Sequence, residues 1–281
     1  GGAPESVRTL IEMVKASGKA MLPPRKKKPF LQEHVHEDKG RVGLFVGCTF
    51  DYDPQLQPAA LGALRALEMA SLEVALPAEQ ICCGLPLYEV GESEKIEELV
   101  LKNVAVFQEA GCSQVVTICS GCGWAGKRLW PQIYRESTGR DLPFEVVDFS
   151  EIMALRAWPP KDLQKVSRKV TYHDACLLNR GLGIRDEPRW LIETIPGVKL
   201  VEMPEADHCC GGGGGVRVHN LELAQRILKR KMEFVKMADV EAVVTCCPTC
   251  IRQLRMGLSK AGLRGVKVLH PAALLSEVIG D

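Results

Sequence analysis

The chain has 281 residues, 46% of them hydrophobic, with 36 basic against 35 acidic side chains for a formal charge of +1. That length and apolar content suffice for a substantial core shared by two ordinary domains, while the balanced charge excludes the broad basic surface of a nucleic-acid-binding protein. No apolar run approaches the roughly 18 residues a membrane-spanning helix needs, so any membrane link would run through a partner.

In chain order, residues 1–40 read as an N-terminal helix and a basic linker. Val7, Leu10, Ile11 and Val14 line one helical face, and Pro23, Pro24 and the cluster Arg25 to Lys28 then give the composition of an extended, solvated arm. The opening Gly-Gly suggests a fragment or processed form with an N-terminal region missing. A first domain, 41–165, starts with the buried strand pattern Val42 to Val46. It continues with a helix over Pro58 to Ser71, a strand over Leu72 to Leu76, a helix over Glu92 to Ala110, a strand over Val115 to Ile118, a helix over Gly123 to Glu136 and the apolar run Phe144 to Phe149. A second domain, 166–281, replays the order. Strand Val170 to Tyr172, helix Arg189 to Ile195, strand Val198 to Val201, helix Leu221 to Met237 and strand Ala242 to Thr245 precede a last helix and the run Val266 to Leu269. Alternating strands and helices predict an α/β fold of two repeated domains with mostly parallel sheets, related by a pseudo-twofold axis.

The cysteines carry the chemistry. In the first half Cys48 is followed by the pair Cys82-Cys83, with Gly84 after it, and then by Cys119 and Cys122 as Cys-x-x-Cys. In the second half Cys176 is followed by the pair Cys209-Cys210, with Gly211 after it, and then by Cys247 and Cys250, again as Cys-x-x-Cys. Corresponding positions differ in number by 127 or 128 throughout, and a repeated spacing of this kind marks duplication. Without a secretory leader, and in a chain too large to need stapling, Cys-Cys and Cys-x-x-Cys read as metal ligands or redox thiols in a reducing cytoplasm. Cys48, Cys119, Cys176 and Cys247 fall just after predicted strands, at the carboxyl ends where such sheets collect ligands. Five cysteines per half are one more than a tetrahedral zinc or a cubane cluster uses. A vicinal pair suits a polynuclear cluster in which one thiolate bridges and the other binds terminally, with structural zinc as the alternative.

Gly211, Gly212 and Gly213, within the run Gly211 to Gly215, would let backbone amides reach the cluster sulfurs. A dinucleotide cradle would need a strand directly before that run, and a flexible loop is the other alternative. Cys112 and Cys246 stand outside the pattern and read as packing residues. His173 and His208 lie nearest the ligand cysteines as candidates to donate a proton or hydrogen bond to sulfur, with a supporting hydrogen-bonded role as the plainer reading of each.

These residues resemble a known family. Gly47-Cys48-Thr49, Cys82-Cys83-Gly84 with Gly91-Glu92, His173-Asp174-Ala175-Cys176, Cys209-Cys210-Gly211 and Cys246-Cys247-Pro248-Thr249-Cys250 are similar to the duplicated CCG domain of the B and D subunits of heterodisulfide reductase. The family includes iron–sulfur subunits of glycolate and lactate oxidases and of anaerobic glycerol-3-phosphate dehydrogenase. In the B subunits, two noncubane [4Fe-4S] clusters flank a disulfide substrate, and in this chain each cluster would capture one sulfur of the opened disulfide. The resemblance implies one cluster on Cys48, Cys82, Cys83, Cys119 and Cys122 and another on Cys176, Cys209, Cys210, Cys247 and Cys250. It implies a reductase-type subunit acting on a small thiol or disulfide, in a cytoplasmic complex that could reach a membrane through a partner. The alternative is a relay subunit passing electrons from a flavin to a quinone or other carrier, and a zinc protein stands third. The chain lacks the ferredoxin-like Cys-x-x-Cys-x-x-Cys runs of many relatives, so electrons would arrive from another iron–sulfur or flavin subunit, or from a missing segment.

Overall fold

Short apolar segments build two parallel sheets, with Val42–Phe45, Val74–Ala75 and Ala242–Val244 buried from end to end and the edge strands Val198–Leu200 and Lys267–Leu269 partly exposed, and helices connect successive strands. The structure, a computed structural model, describes residues 4–22, 27–34, 39–156, 158 and 163–279. Strands β1 (Val42–Phe45), β2 (Val74–Ala75), β3 (Gln114–Thr117) and β4 (Glu145–Asp148) pair in the order β2-β1-β3-β4. Strands β5 (Arg168–Tyr172), β6 (Val198–Leu200), β7 (Ala242–Val244) and β8 (Lys267–Leu269) repeat that order as β6-β5-β7-β8. Every pairing is parallel, as expected. Val42 lies opposite Gln114 and Val170 opposite Ala242, so the central pairings of the two sheets share the offset of the cysteines.

Helices α1 (Glu5–Ser17) and α2 (Phe30–Glu33) precede the first sheet. The elements α3 (Cys48–Tyr52), α4 (Gln57–Met69), α5 (Leu85–Glu89), α6 (Ile96–Glu109), α7 (Ser120–Trp124), α8 (Trp130–Thr138) and α9 (Phe149–Leu155) accompany it. The second sheet carries α10 (Cys176–Leu182), α11 (Asp186–Glu193), α12 (Val216–His219), α13 (Leu221–Ala238), α14 (Pro248–Lys260) and α15 (Pro271–Ile279). The single helix expected over Gly123 to Glu136 is interrupted by a π-helical turn, Ala125–Leu129. Pro131 causes the break, since it lacks the amide that would continue the i to i−4 ladder.

The two halves interlock. The last helix of each packs on the first long helix of the other, α15 along α4 and α9 along α11. This reciprocity is what a pseudo-twofold relation requires. The α4–α15 contact is close enough to demand glycine: a Cβ at Gly62 would stand 1.9 Å from the carbonyl oxygen of Ala272.

The expected N-terminal helix is present as α1, and the linker after it differs from the extended arm expected in forming the short helix α2. Val7 and Val14 of α1 are buried, and Phe30 and Leu31 of α2 enter the main core, which contributes about 1.5–3 kcal/mol for each large side chain removed from water. Asp51 fixes the segment by accepting the Leu31 amide at 3.0 Å and the Lys19 ammonium at 3.0 Å. Lys27 and Lys28 are exposed, and Pro23, Pro24, Arg25 and Lys26 lie outside the described residues. Among the described residues no helix is long and apolar enough to cross a membrane.

Gly62→Ala should lower the urea midpoint of unfolding by the equivalent of about 1–3 kcal/mol through overpacking, although alanine is the better helix former by about 1 kcal/mol. Gly265→Ala, where an added Cβ meets nothing within 4 Å, should leave the midpoint unchanged. Equal midpoints for the two variants would show that α4 and α15 do not depend on this approach.

Candidate metal centre

The first five cysteines converge because the ends of β1 and β3 deliver two of them and a pinned loop delivers the pair. Cys48 opens α3 after Gly47, whose φ of 77° suits glycine and where a Cβ would stand 3.0 Å from Cys122 Sγ. Cys119 caps α7, and its sulfur accepts the Cys122 amide at 3.5 Å. The Cys82-Cys83 loop is held by buried side chains. Asn103 Oδ1 accepts the Ile81 amide at 2.9 Å, Asn103 Nδ2 donates to the Cys82 carbonyl at 3.0 Å, and Trp130 Nε1 donates to the Cys83 carbonyl at 2.9 Å. Thiol contacts run Cys48–Cys82–Cys83–Cys122–Cys119, and all five residues are buried.

The second set has the same plan and a more open face. Cys247 caps α14 and accepts the Cys250 amide at 3.4 Å, while the sulfurs of Cys210 and Cys250 lie 3.4 Å apart. The Gly211 amide donates to Cys209 Sγ at 3.2 Å, at a φ of 77° where a Cβ would stand 2.7 Å from the Ala224 carbonyl oxygen. Gln253 Nε2 donates to the Cys210 carbonyl at 3.3 Å. Cys176, which opens α10, and Cys209 are exposed. His173 is fully buried, and one of its ring nitrogens falls within 4.8 Å of the Cys210 and Cys250 sulfurs while Nδ1 has no hydrogen-bond partner. His208 is placed apart from the sulfurs, with a ring more than half exposed that faces Glu205 and Asp207. Of the two candidate histidines, only His173 reaches the centre.

The thiols cannot all ionise together. The Cys82 thiol and then burial hold Cys48 well up, and contacts with Cys119 and Cys83 do the same to Cys122. Cys83, receiving hydrogen bonds from Cys122 and Cys82, is brought down to about 6. In the second half Cys210 is lowered by Cys209, Cys250 and His173, whereas Cys250 is raised by Cys210 and Cys247. Each thiolate that forms suppresses its neighbours, and only a cation among them lets every sulfur bind deprotonated. Five sulfurs gathered in each half, together with a glycine amide aimed at one sulfur and an unpartnered buried imidazole beside two others, fit a polynuclear iron–sulfur group better than a four-ligand zinc.

Both sets border one cavity of about 480 Å³, within the ordinary range for small-ligand sites. Gly212 and Gly213 line it, as does Met21 from the N-terminal segment. Across the junction the Ser120 amide donates to the Cys246 carbonyl at 3.0 Å, and α7 lies against α10. Cys246, outside the ligand pattern, is buried and accepts the Tyr172 hydroxyl at 3.4 Å, while Cys112 is buried with its thiol pushed up to about 11 by burial.

Comparison with known proteins places the duplication. Residues 42–125 and 170–255 each match the family CCG, described as a cysteine-rich domain. The chain belongs to the CCG family. It is 35% identical over 254 residues to the B subunit of the fumarate reductase (CoM/CoB) of Methanothermobacter marburgensis, covering 90% of this chain and 50% of that one. It is 36% identical over 230 residues to the D subunit of the dihydromethanophenazine:CoB--CoM heterodisulfide reductase of Methanosarcina mazei, covering 79% and 55%. It is 31% identical over 284 residues to the probable glycolate oxidase iron–sulfur subunit of Bacillus subtilis, covering 99% and 63%. The chain thus spans about half the length of the first curated relatives it matches.

The two CCG copies are joined by a residue the cysteine pattern does not mark. Ser120 has its counterpart at Pro248, which has no amide to return the junction hydrogen bond, and His270 supplies the missing donor. His270 Nε2 donates to the Ile118 carbonyl at 2.8 Å, while Nδ1 accepts the Ala272 amide at 3.0 Å at the start of α15. A position just before Pro271, after an apolar run, is the only hint of this role in the sequence.

Burial lowers His270 to about 4. An unfolded imidazole takes its proton near pH 6.5, so His270 contributes stability that is full above about pH 6.5 and is lost as pH falls toward 4, by about 3 kcal/mol. Asp148, raised to about 6 by burial, acts in the opposite sense over nearly the same range. In metal-free reduced chain, His270→Gln should therefore remove stability lost on acidification, visible as the difference between the two curves of urea midpoint against pH. Parallel curves would rule out the neutral, buried imidazole.

Proposed function

We propose that this chain is the CCG part of an oxidoreductase complex and that it uses two noncubane [4Fe-4S] clusters to open a disulfide, RSSR + 2e⁻ + 2H⁺ → 2RSH. The observation that carries this reading is that one cavity is bordered by all five cysteines of the first set and by Cys176, Cys209, Cys247 and Cys250 of the second. Bound clusters would supply single electrons and iron sites with affinity for sulfur. The chain's own residues would hold Cys48, Cys82, Cys83, Cys119 and Cys122 around one cluster and Cys176, Cys209, Cys210, Cys247 and Cys250 around the other. His173 would offer a hydrogen bond beside Cys210 and Cys250, and the cavity walls would seat the substrate between the halves. The names of the reductase relatives, with their CoM and CoB, support a thiol or disulfide substrate. Iron–sulfur or flavin subunits would deliver the electrons, in a cytoplasmic complex or one held at a membrane by a partner. The glycolate oxidase relative supports a second reading, a relay between a flavin and another carrier.

Anaerobically loaded chain should contain about eight irons and eight acid-labile sulfides. Cys83→Ser and Cys210→Ser should each lose about half of both while the fold, read by circular dichroism, persists. Stoichiometric zinc with little iron, or loss of all iron from either change, would defeat the two-cluster assignment.

A thiol or disulfide added to the oxidised or half-reduced protein should alter the electron paramagnetic resonance signal of a cluster. Rapid reduction by a flavoprotein, with no thiol changing the signal, would replace disulfide reduction by the relay.

A further inference from the structure

The matching registers of the two sheets allow residue-by-residue comparison of the sites, since position n in the first half corresponds to n + 128 along β1, β3, β5 and β7. The ten cysteines and their loops are repeated, but their surroundings are not. Next to the second set stands His173, buried with an unpartnered Nδ1, where the first half has Phe45 packed on Trp130 and Phe107. On the helix behind each vicinal pair, Lys231 of α13 corresponds to Asn103 of α6. Both are fully buried and both hold a loop carbonyl, Lys231 Nζ donating to Glu205 O at 2.6 Å and Asn103 Nδ2 to Cys82 O at 3.0 Å. One of these donors is charged and the other neutral.

Lys231 makes no ion pair with a carboxylate among the described residues, and the carboxylates around it, Asp174, Glu205 and Asp207, each face an arginine. Asp174 binds Arg189 through two hydrogen bonds at 2.8 and 2.7 Å, and Glu205 binds Arg230. The first site also has a buried lysine, Lys19, but it meets Asp51 at 3.0 Å and the pair is neutral. The third difference crosses the junction. Ser120 Oγ, buried with no other hydrogen-bond partner, faces the sulfur of Cys247. The counterpart Pro248 has no hydroxyl to return to Cys119. The second site is also the more open, with Cys176 and Cys209 exposed where Cys48 and Cys82 are buried.

All four differences act in one direction. Reduction adds a negative charge, and that charge is favoured by a nearby unpaired cation, by hydrogen bonds to sulfur and by contact with water. We propose that the two cluster sites are unequal and that the first electron entering this chain settles in the C-terminal one, with Lys231, His173 and Ser120 as the residues that position it there. The step consumes one electron from an external one-electron donor and neither forms nor breaks a bond. The inference rests on the two clusters of the proposed function and adds an order to them: the open, C-terminal site is the electron-holding partner of the pair, and the closed N-terminal site fills second.

The test is a dye-mediated potentiometric titration of the anaerobically loaded chain, with dithionite as reductant and electron paramagnetic resonance as readout. Cys83→Ser, which keeps only the second set, should titrate at a higher potential than Cys210→Ser, which keeps only the first. In the chain with all ten ligand cysteines, Lys231→Met should shift the higher wave to lower potential and leave the lower wave in place. Ser120→Ala should give a smaller shift of the same wave, and it supplies the same readout should the buried Lys231→Met fail to fold. Coincident potentials, the reverse order, or equal movement of both waves in the readable variant overturns the inference while leaving the disulfide chemistry intact. Unequal potentials in a protein whose signals ignore every thiol support the inference and sink the disulfide reading. A chain that loads a single cluster overturns both.

Discussion

Mutual repulsion among closely spaced, buried sulfurs is the constraint on which the arrangement depends. Five thiols in contact resist ionisation as a group, because each new thiolate sits in a poorly solvating interior beside another. A polypeptide that brings them together in the absence of their cation must hold them by other means. Here the means are backbone: the carbonyls of Cys82, Cys83 and Cys210 and the amide of Ile81 are tied to Asn103, Trp130 and Gln253, while Gln80 ties the preceding turn to the end of β1 through Val46 N at 2.8 Å and Leu44 O at 3.1 Å. The donors are thus positioned by groups that do not themselves titrate near neutrality, and the sulfurs remain free to respond to what binds.

Much of this is legible in the cysteine spacing and in the strand patterns. Val42 to Val46 and Ala242 to Thr245 read as buried parallel strands because both faces of such strands are apolar, and the structure places them at the centre of their sheets. The cysteines after them can be assigned to the carboxyl edge for the same reason. What escapes the sequence has no local signature. Gly62 lies inside an alanine-rich helix, and nothing near it announces that its neighbour comes from the last helix of the chain. Phe30 follows a basic, proline-rich stretch whose composition outweighs one aromatic residue. His208 sits beside the vicinal pair in sequence yet turns outward, whereas His173, shortly before Cys176, turns inward at the end of β5. Adjacency in sequence does not tell the two histidines apart; their places do, His173 just after β5 and His208 in the turn before the vicinal pair.

Duplication explains the plan of the molecule, and its imperfections explain how the copies stay joined. A perfectly symmetric junction would carry two identical amide-to-carbonyl bonds. Pro248 removes one, and an imidazole from the far end of the chain replaces it. Once that exchange is made, the two sides of the cavity are no longer interchangeable.

The swap of α9 and α15 between halves carries a consequence for how the protein is made. α15 packs along α4, and roughly 200 residues of chain separate Met69 from Pro271, which at ribosomal speed corresponds to about 10–40 s. Through that interval the face of α4 around Gly62 waits for Ala272, which is not yet synthesised. Vectorial synthesis therefore delivers the N-terminal cysteines long before their half is closed.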